Sequence, residues 1–286
     1  MSAVAKARAV RSTKPLRRAR EWATLSLRAG FVAYVAVLVV LPLVTLVVRG
    51  FAGGVGGLWE EVTSPIAVDA VLLSLGTSFV AALVNGVMGF AIAWVLVRWE
   101  IPGRRALSAL VDLPFAIPTL VAGILLVALY GPQTPIGGFL TEHGVKIVFA
   151  KPGIMLALLF VTLPFVVRAV EPVIRELDPA EEEAALTMGA RPWTTFVRIL
   201  LPPLLPAIAS GTVQVFARSV AEFGSIAAVS GNIPHRTLTA PVHILGEVER
   251  GETSSAAAVS IVLLALALAL QLVARRLVKW AGGHRG

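Results

Sequence analysis

Long apolar runs, rather than a repeating apolar and polar alternation, dominate the chain. Six stretches read as crossings of a hydrocarbon layer: 31–48, 70–97, 106–130, 153–167, 204–231 and 256–274. A helix needs about 20 apolar residues to cross a lipid core of about 30 Å. Run 31–48 has eighteen uncharged residues, 256–274 is charge-free, and 70–97 is long enough to tilt or protrude. Run 153–167 offers only fifteen residues before Arg168. Asp112, Pro114 and Pro118 lie inside 106–130, which predicts a kink whose freed carbonyls neighbouring helices must satisfy. The basic flank before residue 31 suits a signal peptide. Yet 28 residues is long for such a flank, the apolar run exceeds the usual length, and no clear small-x-small cleavage site follows. The first run is therefore predicted to stay as a transmembrane helix.

Composition supports that reading. The chain has 286 residues, 57% hydrophobic and 15% charged, and it lacks cysteine; its mean hydropathy is +0.83. A soluble domain is about 45–50% apolar and about 25% charged. Disordered chains and disulfide scaffolds are excluded. The +8 net charge becomes an orientation signal. Residues 1–28 carry eight Lys and Arg (Lys6, Arg8, Arg11, Lys14, Arg17, Arg18, Arg20 and Arg28). Loop 98–105, segment 168–203 and the tail beyond 274 bring that side to nineteen, against five on the other side, with Arg218 inside the fifth run. This asymmetry predicts both termini in the cytoplasm, and an even number of crossings requires them on the same side. The basic N-terminal run reads as an orientation signal resting on anionic lipid, not as a nucleic-acid tail.

Segment 168–203 is longer than a passive connection needs. Asp178 is a good N-cap, Pro179 suits the first helical position, and Glu181, Glu182 and Glu183 favour the positive helix end. Gly189 suits the residue just past the helix. A second short amphipathic helix is predicted from Pro192, with Trp193, Phe196, Val197 and Leu200 on its apolar side, ended by Pro202 and Pro203. Ala184, Ala185 and Gly189 permit close helix approach. Glu183 and its neighbours offer charge to a partner, and Trp193 with Phe196 can anchor the segment to the bundle.

Glu183-Ala184-Ala185, three residues, Gly189, nine residues, Ile199, one residue, then Leu201-Pro202 resembles the EAA loop of permease subunits of bacterial ABC importers. Three further stretches resemble the sulfate/thiosulfate permeases, and the T-type (or U-type) subunit more than the W-type: Asp112-Leu-Pro-Phe-Ala-Ile-Pro-Thr-Leu-Val-Ala-Gly123; Leu163-Pro-Phe-Val-Val-Arg168 with Glu171-Pro-Val-Ile174; and Glu222-Phe-Gly224 with Ser230-Gly-Asn232. The similarity covers about residues 30–275. Molybdate/tungstate permeases share the EAA loop and the Glu-Phe-Gly stretch, and remain the rival within the same architecture.

The resemblance implies an all-α polytopic protein with six transmembrane helices and a type I-like ABC importer permease fold, the first helix wrapping a partner. Residues 1–28 would be a basic extension, 29–275 the permease domain with its coupling loop at about 176–203, and 276–286 a basic tail. The coupling residues would be Glu183, Ala184, Ala185, Gly189, Ile199, Leu201 and Pro202. Implied partners are two ATP-hydrolysing subunits that hold ATP and Mg, a second, W-type permease and an extracytoplasmic sulfate-binding protein, in a bacterial inner membrane. Outer stretches 230–232 and 233–236 would be docking contacts. The chain itself would bind no cofactor and hydrolyse nothing.

Ionisable groups within the membrane are functional candidates by default. On one continuous helix Gly211, Gln214, Arg218, Glu222 and Ser225 fall within an arc of about 80°. That stripe either faces the translocation path or its gate, or pairs Arg218 with Glu222 to lock helices. Asn85 with Gly86 and Gly89 has a weaker claim, small residues serving close packing. No phosphate loop of the G-x-x-x-x-G-K-[ST] type, metal-ligand histidine spacing or nucleophile–base constellation is visible. His235 and His243 read as residues of a solvated outer loop, 232–254. An ion-driven secondary transporter would need no EAA loop and usually shows more intramembrane acids than Glu222 alone. No motif speaks for an integral-membrane enzyme.

Overall fold

The computed structural model describes residue 24 and residues 27–282, with side chains through 276. Most of the basic N-terminal extension and of the C-terminal tail lies outside the described residues. Twelve helices are labelled in chain order. They are α1 (Leu27–Gly50), α2 (Gly54–Val62), α3 (Pro65–Arg98), α4 (Arg104–Ala116), α5 (Thr119–Tyr130) and α6 (Pro135–Glu142). The rest are α7 (Lys151–Arg175), α8 (Pro179–Thr187), α9 (Pro192–Val220), α10 (Gly224–Val229), α11 (Ala240–Glu249) and α12 (Thr253–Gly282). Five of these, α1, α3, α7, α9 and α12, are long and apolar enough to cross a membrane. The pair α4 and α5 makes a sixth crossing only if counted as one span bent by 112°.

That bend is sharper than the predicted kink. Ile117 precedes Pro118 and is held extended (φ −91°, ψ 128°), because the proline ring disfavours helical backbone before it. The chain therefore stops one helix and restarts another. Helix α7 departs the other way, running on to Arg175 rather than ending at 167. Arg168, Glu171 and Arg175 pair along its last turns, so charge does not terminate it.

The core is the mutual packing of α3, α7 and α9, with Leu96, Val166, Val167, Val170, Ile174, Leu204 and Val215 buried between them. Glycine allows the approach. A Cβ on Gly86 would lie 2.7 Å from Thr212 Oγ1, and one on Gly89 would lie 2.7 Å from Val166 Cβ. Asn85 is buried and donates through Nδ2 to Leu159 O (3.0 Å) and Thr162 Oγ1 (2.9 Å). It therefore cross-links α3 to α7, as the close-packing reading of this stretch requires. Helix α1 stands outside this core, exposed along its apolar length and packed near its end against α12 through Gly50 and Ile261. One end of the bundle carries α8 and the start of α9; the other carries the 231–239 loop, α2, α6 and α11.

Candidate functional site

Segment 178–202 folds largely as its residues dictate. Asp178 Oδ1 accepts the Ala180 N–H at 2.9 Å, with Pro179 first in α8. Gly189 is left-handed (φ +81°); its N–H donates to Leu186 O, and the Ala190 N–H to Ala185 O, both at 3.0 Å. This is the paired closure that a glycine just past a helix makes possible. Glu183 and Ala184 are exposed, while Ala185 is buried. Met188 (82% exposed) and Leu186 leave an apolar ridge uncovered. Ile199, Leu201 and Pro202 are half-buried.

The second helix does not end at Pro202 and Pro203. It passes through a π-turn (Phe196–Leu200) straight into the membrane span, making α9 one body. Leu201 N–H bonds back five residues to Phe196 O. The widened turn lies where the two prolines remove donors, so the helix absorbs them instead of stopping. Phe196 is the anchor of this segment, edge-on to Trp94 of α3 with ring centroids 5.4 Å apart. Trp193 stacks on Phe196 but stays 73% exposed. An unforeseen contact joins them: Arg98, the last residue of α3, pairs with Glu182 of α8 and lies 5.4 Å over the Trp94 ring. Charge pairing across 84 positions leaves no local signal in a sequence.

The expected polar stripe is not one helix face. Helix α9 ends at Val220, and Glu222 sits in the break before α10. Its carboxylate is fully buried and accepts the N–H (3.1 Å) and O–H (3.0 Å) of Ser225. Glu222 thus satisfies one free donor of the next helix, the Ser225 N–H, rather than extending the previous one. Arg218 still reaches it, Nη2 to Oε2 at 2.8 Å, and is 35% exposed. Gln214 is exposed one turn away, Ser225 is buried, and Gly211 turns into the core, where a Cβ would lie 2.9 Å from Val166 Cα.

This break meets the other. A Cβ on Gly224 would lie 2.4 Å from Thr119 Oγ1, and one on Gly123 would lie 2.5 Å from Ser225 O. The interruption between α4 and α5 therefore touches the interruption between α9 and α10. Discontinuous helices of this kind free backbone groups within the membrane and mark sites in many transporters. The Asp112–Gly123 and Glu222–Gly224 stretches, distant in sequence, form this junction together. A second cluster joins the other stretch: Arg168 of α7 binds Asp112 and Ser108 of α4, and Glu171, itself paired with Arg175.

At the opposite end, His235 Nδ1 lies 2.6 Å from Asp69 Oδ2, both half exposed. Two adjoining cavities of about 580 and 710 Å³ share Lys151, His235 and Arg236. The 232–254 stretch is not a solvated loop throughout. It holds α11, whose His243 is buried (6% exposed) beside Glu247 at 3.5 Å. Burial pushes the His243 imidazole below its ordinary value, Glu247 and Glu61 pulling it up and Arg250 down.

Comparison with known proteins agrees with this architecture. A protein of Nephroselmis olivacea named a probable sulfate transport system permease is 45% identical over 231 residues, 81% of each chain. The sulfate transport system permeases of Synechocystis sp. and Escherichia coli are both 39% identical. They cover 94% of both chains in the first case, and 85% of this chain and 87% of the relative in the second. Among solved structures, a bacterial importer of the acidic polysaccharide alginate superposes with a TM-score of 0.77 at 19% identity, covering 93% of this chain and 99% of that one. An inward-facing methionine ABC transporter gives 0.58 at 20% identity, covering 76% and 96%. The fold is that of an ABC transporter permease. Residues 85–282 match the family of inner membrane components of binding-protein-dependent transport systems, and the chain belongs to that family.

Proposed function

We propose that this chain is the T-type permease subunit of an ATP-driven importer moving sulfate and thiosulfate into the cell. The observation that carries the substrate reading is the likeness to the three sulfate permeases above, each at least 39% identical over four fifths or more of this chain. Both termini face the cytoplasm, placing segment 178–202 there too, with loop 231–239 outside. In this reading one of two ATP-hydrolysing subunits, which hold ATP and Mg, docks on Glu183, Ala184, Ala185, Gly189 and the Leu186–Met188 ridge. A second, W-type permease covers the faces that one copy leaves bare, and an extracytoplasmic sulfate-binding protein docks over 230–236. The complex performs the hydrolysis; this subunit contributes the path.

The residues suggest how motion passes. Closure of the two ATP-binding subunits displaces α8. Helix α9 is continuous from Pro192 to Val220, so that displacement is carried into the membrane, while Ile199, Leu201 and Pro202 hold the entry turn against the bundle. Gln214 and the open side of Arg218 flank the path near the junction of the helix breaks. Glu222 takes part of the Arg218 charge, so a passing dianion is held weakly enough to leave, as conduction requires.

Uptake of labelled sulfate into cells that depend on this chain tests the reading. Excess thiosulfate should suppress it, and excess molybdate should not. Absence of sulfate uptake overturns the substrate reading. Purification of the tagged chain without an ATPase subunit and a second permease overturns the assembly.

A further inference from the structure

Helix α3 carries two charged residues in its 34, Asp69 near one end and Arg98 at the other. Each is used on a different peripheral element. Arg98 pairs with Glu182 of α8, with Trp94 one turn back meeting both Arg98 and Phe196 of α9. Asp69 pairs with His235 of the 231–239 loop, and Ser74 Oγ, one turn on, accepts the Ala240 N–H at 2.8 Å. The same loop is braced internally, since Ile233 O accepts the N–H groups of Arg236, Thr237 and Leu238. At 1.5 Å per residue the two fasteners stand about 44 Å apart along one helix.

The other core helices are poorer rods. Helix α7 contains Pro164 and Pro172, and α9 contains a π-turn, Pro206 and the break at its end. Prolines and π-turns are where helices bend. Helix α3 has proline only at its first position. Its middle is clamped by Asn85 and by the glycine crossings of Gly86 and Gly89. A tilt imposed at its Arg98 end is therefore carried about that central clamp to its Asp69 end rather than absorbed by a bend.

We propose that α3 is a strut tying segment 178–202 to the 231–239 loop, with Arg98 and Asp69 as positioning residues that fasten its ends. This rests on the functional reading above for what docks at each end. Movement imposed on α8 repositions the loop. By thermodynamic reciprocity, an event at the loop biases α8 equally.

The chain has no cysteine, so a thiol probe on Arg236→Cys labels one site of this subunit. The purified complex with its ATPase subunits is labelled and treated with ATP and vanadate, without a binding protein. In the parent a change of probe signal is expected. Adding Asp69→Ala or Arg98→Gln should reduce that change more than two-fold while basal ATP hydrolysis stays within two-fold. The reversal Arg98→Glu with Glu182→Arg should restore at least half, which a generally loosened bundle would not do. No signal change in the parent overturns the strut. So does a change within two-fold of the parent in both single variants, or a parallel loss of hydrolysis. Stimulation by a sulfate-loaded binding protein, read on unlabelled complex that keeps Arg236, reports separately on the substrate reading.

Discussion

Arg168 and Asp112 form a bidentate pair between α7 and α4, Nε to Oδ1 at 2.7 Å and Nη2 to Oδ2 at 2.5 Å. Arg168 Nη2 also donates to Ser108 Oγ (2.8 Å) and Ser108 O (3.0 Å), and Nη1 faces Glu171. The guanidinium fork is the one side chain that can meet all these acceptors at once.

Arg168→Ala should therefore leave Asp112 without its partner and Glu171 with Arg175 alone. A loss of about 1–2 kcal/mol is expected, or about 2–6 °C in the thermal midpoint of the detergent-solubilised protein. Arg168→Lys should recover less than half of it, because an ammonium cannot reproduce the fork. Full recovery with lysine would mean that charge alone matters.

Gly123 and Gly224 make the crossing of α5 with α10 possible. At Gly123 a Cβ meets backbone, Ser225 O at 2.5 Å and Ser225 Cα at 2.9 Å, which cannot rotate away. Gly123→Val should abolish sulfate uptake and cost about 1–3 kcal/mol or more as overpacking. Gly76→Ala is the control: nothing lies within 4 Å of the added carbon, and uptake should be unchanged. Quantitative immunoblots of the membrane fraction separate lost protein from lost transport.

The spans were legible because lipid leaves only helix for an apolar run of that length. Segment 178–202 was legible because caps are local: Asp178, Pro179 and Gly189 each act within a few residues. What escaped depends on distance or on a break. Arg98 with Glu182, Asp69 with His235, and Arg168 with Asp112 are pairs between elements, and nothing in either partner's neighbourhood announces them. The stripe through Glu222 failed because angular arithmetic assumes an unbroken helix, whereas Ala221 and Phe223 leave helical continuity and turn the carboxylate to Ser225. His243 was misplaced for a related reason, a short helix hidden in a polar stretch.

Glu222 sharpens the test of the proposed path. An exchange of Arg218 with Glu222 would bury an arginine where two Ser225 donors point, so its failure says nothing about transport. Glu222→Gln keeps an acceptor for Ser225 and removes only the charge facing Arg218. Freed of its counter-charge, Arg218 should hold the dianion longer: KM for sulfate uptake falls and the maximal rate falls severalfold. Unchanged kinetics would assign Arg218 and Glu222 to helix locking alone.

Burial of His243 sets a dependence on pH. The imidazole is buried with Glu247 at 3.5 Å, and its desolvation outweighs the pull of Glu247 and Glu61. The folded protein therefore takes up that proton less readily than the unfolded chain. Above about pH 6.5 both states keep the ring neutral and stability is flat in this respect. Below it the unfolded chain binds the proton first, so stability falls as pH drops toward the depressed folded value. Thermal midpoints at about pH 7.5 and about pH 5 should differ in the wild-type protein, with the acid value lower. His243→Asn, which does not titrate, should show a smaller difference. An equal acid loss in both proteins would place the pH sensitivity elsewhere.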